Sequence, residues 1–520
     1  MSAASSPSAP SPQPGVGRAP RVCLNCKRKK KGCNKALPSC NRCVESLQEC
    51  RYEDDFTPDS VQTPVYSLYG GGLSPISNAG PVLRHSSQSW GSPSLVGSIH
   101  SAMDIHHLAF CSMMEILGDR QGIEQVVSSY FAVAHTWITI IDHATFESQL
   151  KSVWQKSPLA ETCILVLCMS LLTRQSNAIP NGPLSDSNYH SVKALMSLVQ
   201  SSGQRLSNTS IQAELLVAQY EYSNALPQQA YFSVGRCFQM SRIFGWHSKL
   251  FWEEEKQRNF PSELKLASAL WWAIVHADSF ISVAYAEQKF PMHTANLNLG
   301  FEIPLPKDFD QYLPAAFLGQ PFVDDPVFDI DGMALPESTS SWCLSNALQQ
   351  LYHPTLPDSR EQLSGAILNH AVGLDRVPGA GPWVNGDHSG AMATSLIALM
   401  KLNAPGLLPG MAPSALASTS SAEKVSWAIG YIYGAVQNVE QYQILVKQGK
   451  VAPSWAFAML YAALLLINHG NGVLGDIAWP QKVANLRNLL ELHAQRWRIA
   501  GIYVKQINMA LANRPVPYAA

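Results

Sequence analysis

The stretch that decides the reading is Cys23-Leu-Asn-Cys26-Lys-Arg-Lys-Lys-Lys-Gly-Cys33-Asn-Lys-Ala-Leu-Pro-Ser-Cys40-Asn-Arg-Cys43-Val-Glu-Ser-Leu-Gln-Glu-Cys50. It holds six of the eleven cysteines, as two copies of C-x2-C-x6-C. Two thiolates separated by two residues can grip one zinc ion from a single turn. A tetrahedral site needs four sulfurs, so six cysteines serve two ions only if two thiolates bridge. Cys23 and Cys40, the first residues of the two halves, are the symmetric choice. A disulfide framework is the competing reading, and it needs an oxidising compartment. Met1 to Pro20 is rich in Ser, Ala and Pro with no apolar core of a secretory signal. The odd cysteine total, with Cys111, Cys163, Cys168, Cys237 and Cys343 scattered through apolar surroundings, also favours reduced thiols.

The two halves share ligand spacing but not charge. Lys27-Arg28-Lys29-Lys30-Lys31-Gly32 fills the first x6 loop, and Val44-Glu45-Ser46-Leu47-Gln48-Glu49 fills the second. Between Arg18 and Arg51 stand ten Lys or Arg against two acids, leaving 27 bases against 36 acids elsewhere. The formal net charge of −1 therefore conceals a basic module joined to an acidic body. A metal-stapled module with one basic face matches the electrostatics of a phosphate backbone, and the same lysines could serve nuclear import. Guanine offers N7 and O6 to the major groove, where an ammonium can donate to both, so lysines at a helix end prefer G-rich steps. Some thirty residues cannot build a core, so folding is expected to depend on zinc.

Arg21 to Tyr52 resembles the DNA-binding domain of the fungal zinc binuclear cluster (Zn(2)-C6 fungal-type) transcription regulators. The resemblance implies two Zn2+ per chain held by Cys23, Cys26, Cys33, Cys40, Cys43 and Cys50, with the first and fourth bridging. It implies a first short helix that enters the major groove to read a CGG-type triplet. Lys29 and Lys30 fall at the base-contacting positions, while Lys27, Arg28, Lys31 and Lys35 form the rest of the DNA-binding set. Pro38 matches the turn between the halves. Gly32 departs from the Lys or Arg usual before the third cysteine, and Lys31 can compensate.

The expected organisation is a disordered tail over 1–17, the cluster domain over 18–53, a flexible Ser/Pro/Gly linker over 54–100 and an all-helical regulatory domain over 101–520. No sustained heptads follow the cluster, so a coiled coil next to it is not expected. The body has length enough for a buried core in one or two lobes. Helices are expected over 211–224, 231–244, 264–286, 423–447, 454–468 and 482–512. The apolar run Trp455 to Ile467 has 13 residues, short of a membrane span.

Within about 115–295 the body resembles the middle homology region of the same regulators. The phrases are Tyr130-Phe131, His135-x-Trp137, Ile140-Ile141-Asp142 and Phe146; then Gly235, Gly245 and His247; then Leu270-Trp271-Trp272 and Asp278. Glu287-Gln288-Lys289 departs from the Gly-Arg-Pro often found there. His135, Asp142 and His143 lack a recognised metal-ligand spacing and are read as packing and capping residues. Trp271, Trp272, Cys163 and Cys168 are read as core. Residues 322–331 alternate acids with bulky apolars, as an activation segment or an acidic interhelical loop would. There is no Walker glycine loop, no G-x-S-x-G elbow and no H-E-x-x-H, so no catalytic residue is expected.

The resulting expectation is a nuclear, sequence-specific RNA polymerase II transcription regulator, an activator of a metabolic or secondary-metabolite gene set. Its partners would be double-stranded DNA, a small-molecule effector and the transcription machinery, with no membrane and with a homodimer formed through the helical body. The alternative is a helical ligand-sensing or scaffolding protein whose cluster is a nonspecific nucleic-acid anchor.

Overall fold

The computed structural model describes residues 22–36, 40–46, 50, 102–155, 158–174, 186–203, 205–248, 250–252, 254, 261–295, 335–352, 357–376, 388–404 and 419–513. The expected tail, linker and acidic segment 322–331 lie outside these residues. The chain divides into two compact units, Met1–Trp90 and Gly91–Ala520.

Among its described residues the first unit holds two five-residue helices, α1 (Leu24–Arg28) and α2 (Asn41–Glu45). Each begins one residue after the first cysteine of its half, so the sequence repeat is also a structural repeat.

Among its described residues the second unit holds helices joined by turns and loops, and no strand. It runs α3 (Ala102–Leu117), α4 (Arg120–Ala132), α5 (His143–Gln155), α6 (Ala160–Thr173), α7 (Ser187–Ser201), α8 (Asn208–Ser223), α9 (Pro227–Ile243) and α10 (Pro261–Ala284). It continues through α11 (Leu335–Tyr352), α12 (Pro357–Arg376), α13 (Ser389–Asn403), α14 (Thr419–Ala435), α15 (Val439–Gln448), α16 (Ser454–His469), α17 (Trp479–Ala494) and α18 (Arg498–Ala512). Local chemistry fixes several starts. The side chains of Asp119, Asp142, Asp186, Ser207 and Asn438 each accept from a backbone N–H in the first turn that follows. Pro227 opens α9, where a missing N–H costs nothing.

Helices α6, α8, α13 and α16 are buried on nearly every face and form the centre, while amphipathic helices such as α4 and α18 surround them. One continuous apolar core runs from Ile105 to Ile507, so the body is one lobe. Long-range bonds knit its ends. Trp137 Nε1 donates to the Gly449 carbonyl at 3.1 Å, Arg496 donates to the Leu172 carbonyl at 3.0 Å, and the hydroxyls of Tyr222 and Tyr503 meet at 3.1 Å. Between α7, α8 and α9, the buried carboxylates of Glu214 and Glu221 are neutralised by Arg236 and Lys193, and Tyr189 donates to Glu221 at 2.7 Å.

Two expected helices are each broken. The stretch 423–447 divides into α14 and α15, because Asn438 turns the chain and caps α15. The stretch 482–512 divides into α17 and α18 with no Gly or Pro at the break. There Trp497 is buried edge-on to Trp137, and the Arg496 guanidinium reaches the end of α6. Tertiary contacts therefore override local helix propensity at that point. The other four expected helices match α8, α9, α10 and α16. α10 is long and apolar enough to cross a membrane by length and composition, yet 78% of that stretch is buried inside the protein, as a core helix is.

The middle-region residues serve the fold. Trp271 and Trp272 are buried, as are Cys163, Cys168, Cys237 and Cys343, whereas Cys111 is exposed on α3 with its sulfur 3.4 Å from His107 Nε2. Asp142 caps α5, and the rings of His135 and His143 pack on Phe131. Asp278 ties the end of α10 to the following turn, accepting from His293 N at 3.0 Å and from Thr294 N and Oγ1 at 2.8 and 2.7 Å.

Candidate zinc centre and nucleic-acid interface

In the first unit the sequence places Cys23 just before α1 and Cys26 within it, and Cys40 and Cys43 in the same relation to α2. The four sulfurs lie within 4.8 Å of one another and are buried, and Cys33 and Cys50 pack against them half-buried. The Cys23–Cys40, Cys23–Cys43 and Cys26–Cys40 sulfur separations are each 3.7 Å.

That distance discriminates between the two chemistries of cysteine. A disulfide brings sulfurs to about 2.05 Å. Sulfurs about 2.3 Å from one zinc stand about 3.8 Å apart at the corners of a tetrahedron. The observed spacing fits shared metal coordination. These contacts bring Cys23 and Cys40, the expected bridging pair, together with Cys26 and Cys43 in one sulfur cluster.

Backbone donors complete the setting. Cys26 N donates to Cys23 Sγ at 3.4 Å and Cys40 N donates to Cys50 Sγ at 3.2 Å. Asn34 Oδ1 accepts from Asn41 N at 3.0 Å, capping α2; its place in the sequence gives no signal of that role. Burial raises the Cys40 and Cys23 thiols above their ordinary value, and a bound divalent cation would hold both as thiolates.

Lys27 and Arg28 form the last turn of α1, and Lys29, Lys30 and Lys31 follow it, all exposed. Lys30 N donates to Lys27 O at 3.2 Å and Lys31 N to Cys26 O at 3.0 Å, with Lys30 at φ 47°. This is the Schellman ending, whose left-handed position is normally glycine. A lysine there costs backbone energy of order 1 kcal/mol, which fits a side chain retained for contact. Lys35, half-buried at φ 59°, stands apart from that run on the far side of Cys33.

The fungal Zn(2)-Cys(6) binuclear cluster domain model matches residues 21–58, and the fungal specific transcription factor domain model matches residues 127–359. Together they cover just over half the chain. It is a fungal zinc-cluster transcription regulator. A cluster domain of this kind binds two zinc ions, and neither matched family is an enzyme family. The regulator is similar to Transcription factor BOA15 of Botryotinia fuckeliana (strain B05.10), at 29% identity over 140 residues, 26% of this chain and 73% of that protein. No solved structure matches it.

Proposed function

We propose that this regulator acts in the nucleus as a sequence-specific activator that reads G-rich, CGG-type triplets. Cys23, Cys26, Cys33, Cys40, Cys43 and Cys50 are its zinc ligands. Lys29 and Lys30 contact bases, and Lys27, Arg28, Lys31 and Lys35 contact phosphates. The observation that carries this reading is the run Lys27 to Lys31, exposed at the C-terminal end of α1 with Lys30 in a left-handed conformation. Such a run gives ammonium groups the reach to guanine O6 and N7 while their neighbours lie along the backbone. The helical body receives a small-molecule effector, supports a homodimer and contacts the transcription machinery at a metabolic or secondary-metabolite gene set.

The test is binding of the full chain to duplexes with and without CGG triplets across a salt series. Discrimination that survives at each salt concentration supports the reading. Equal affinity for all sequences, with only a steep salt slope, would instead make the cluster a nonspecific anchor.

A further inference from the structure

Helix α13 is buried along its whole length, and it carries one charged side chain, Lys401, which is only 3% exposed. Its Nζ lies 3.9 Å from the ring centre of Tyr461 and 5.7 Å from that of Phe457, both on α16. No carboxylate, carbonyl or hydroxyl among the described residues accepts a hydrogen bond from it. The Tyr461 hydroxyl is already committed, donating to the Ala404 carbonyl at 2.8 Å. Ring faces attract a cation but offer none of the acceptors that an ammonium needs once removed from water.

Lys401 borders a cavity of about 130 Å³. Its walls are mixed: Val283, Leu460 and Leu464 lie beside Phe457 and Tyr461 on one side, and the polar turn 285–288 with Gln506 completes the lining. Glu287 in that turn is exposed. The turn includes the first two residues of the segment 287–289 that departs from the family pattern. Another cavity, of about 70 Å³ beside Trp137 and His276, has its own carboxylate, Glu337, paired with His388 at 3.1 Å. Glu287 also lines the Lys401 cavity, but among the described residues no ion pair joins Lys401 to a carboxylate.

We propose that the cavity at Lys401 binds a small organic monocarboxylate whose apolar body is an aromatic ring or a short branched chain. The carboxylate accepts from the Lys401 ammonium, and the body lies against Phe457, Leu460 and Leu464. An apolar protein cavity of about 150 Å³ holds a benzene molecule, which sets the size of the ligand. A single cation, with Glu287 also in the lining, suits one negative charge and disfavours phosphate, which calls for several donors. Burial lowers Lys401 to about 7, so a bound anion would also draw a proton onto it. The site gives chemical identity to the effector proposed above and rests on that reading for its consequence, though not for binding itself.

The test is thermal unfolding of the zinc-loaded full chain at pH 7 and constant ionic strength, with benzoate, isobutyrate, benzamide or inorganic phosphate. Benzoate or isobutyrate at millimolar concentration should raise the transition by a few degrees, while benzamide and phosphate should not. Lys401→Met, which removes a buried charge and should fold, should abolish the response, and Tyr461→Phe should keep it. As a second readout, benzoate should slow acylation of the Lys401 amine, mapped by mass spectrometry, at least several-fold. The proposal is overturned if neither carboxylate stabilises, if benzamide or phosphate acts equally, or if Lys401→Met still responds. DNA affinity measured on the same samples keeps the outcomes separate, because loss of triplet discrimination with an intact benzoate response would count against the regulator reading alone.

Discussion

Trp137 donates its indole N–H to the carbonyl of Gly449 at 3.1 Å, a bond that spans 312 residues of chain. It joins the region matched by the transcription factor domain to helices well beyond that match. Gly449 ends α15 at φ 78°, and a Cβ built there would lie 2.4 Å from the Arg496 guanidinium carbon. Gly449→Ala therefore incurs both a left-handed penalty and a displaced arginine. It should destabilise the helical unit by about 2 kcal/mol or more, read by denaturant unfolding. An unchanged midpoint would contradict the packing described.

The cluster should bind two zinc ions per chain by metal analysis. With Cys40 as the bridging ligand expected from its place in the repeat, Cys40→Ser should lower occupancy of both sites. Cys50→Ser should chiefly affect one. Equal loss from the two variants would argue against bridging.

Lys30→Gly separates fold from contact. Glycine relieves the left-handed backbone, so the zinc-loaded fold should be retained or slightly strengthened, while triplet discrimination should fall by about 1–3 kcal/mol. Lys35→Ala should weaken all duplexes alike and flatten the salt slope by about one unit. Competition binding on matched and scrambled duplexes distinguishes the two.

Stability should fall on the acid side. His493 is fully buried, its Nε2 meeting the Tyr442 hydroxyl, and burial lowers it to about 3. A histidine lowered from about 6.5 takes up a proton in the unfolded chain before the folded one. Its contribution is fully present above about pH 6.5 and erodes by up to about 1.4 kcal/mol per pH unit as pH falls from there toward about 3. Replacement by Phe should flatten that slope in unfolding experiments between pH 7 and 5, whatever it does to absolute stability.

If the chain dimerises, assembly should depend on the helical body. Sedimentation should find residues 1–100 monomeric, and the full chain should tolerate several spacings between paired triplets. A stable dimer of 1–100 with one strict spacing would reveal a missed element.

The metal centre was legible because ligand spacing is a local, covalent property, and the sulfurs meet where the repeat puts them. Helix identity was legible from periodicity, as were Asp142 as a cap and Trp271 and Trp272 as core. The break at Gln495 to Trp497 was not, since its cause is a partner more than 300 residues away. Nor was the left-handed Lys30, because lysine carries no conformational signature of that kind. Lys401 had a faint signal, a lone charge between Ser389 and Leu402, but its burial and lack of an acceptor exist only in three dimensions.

The unbroken core from Ile105 to Ile507 bears on how such a protein can be re-engineered. A boundary drawn at residue 359, where the family match ends, would cut through α12 and strip the first half of α13, α16 and α18. A graft that keeps this core intact carries the span from Ala102 to Asn513 whole. A substitute cluster module would be joined ahead of Ala102, with the helical body carried as a single indivisible cassette.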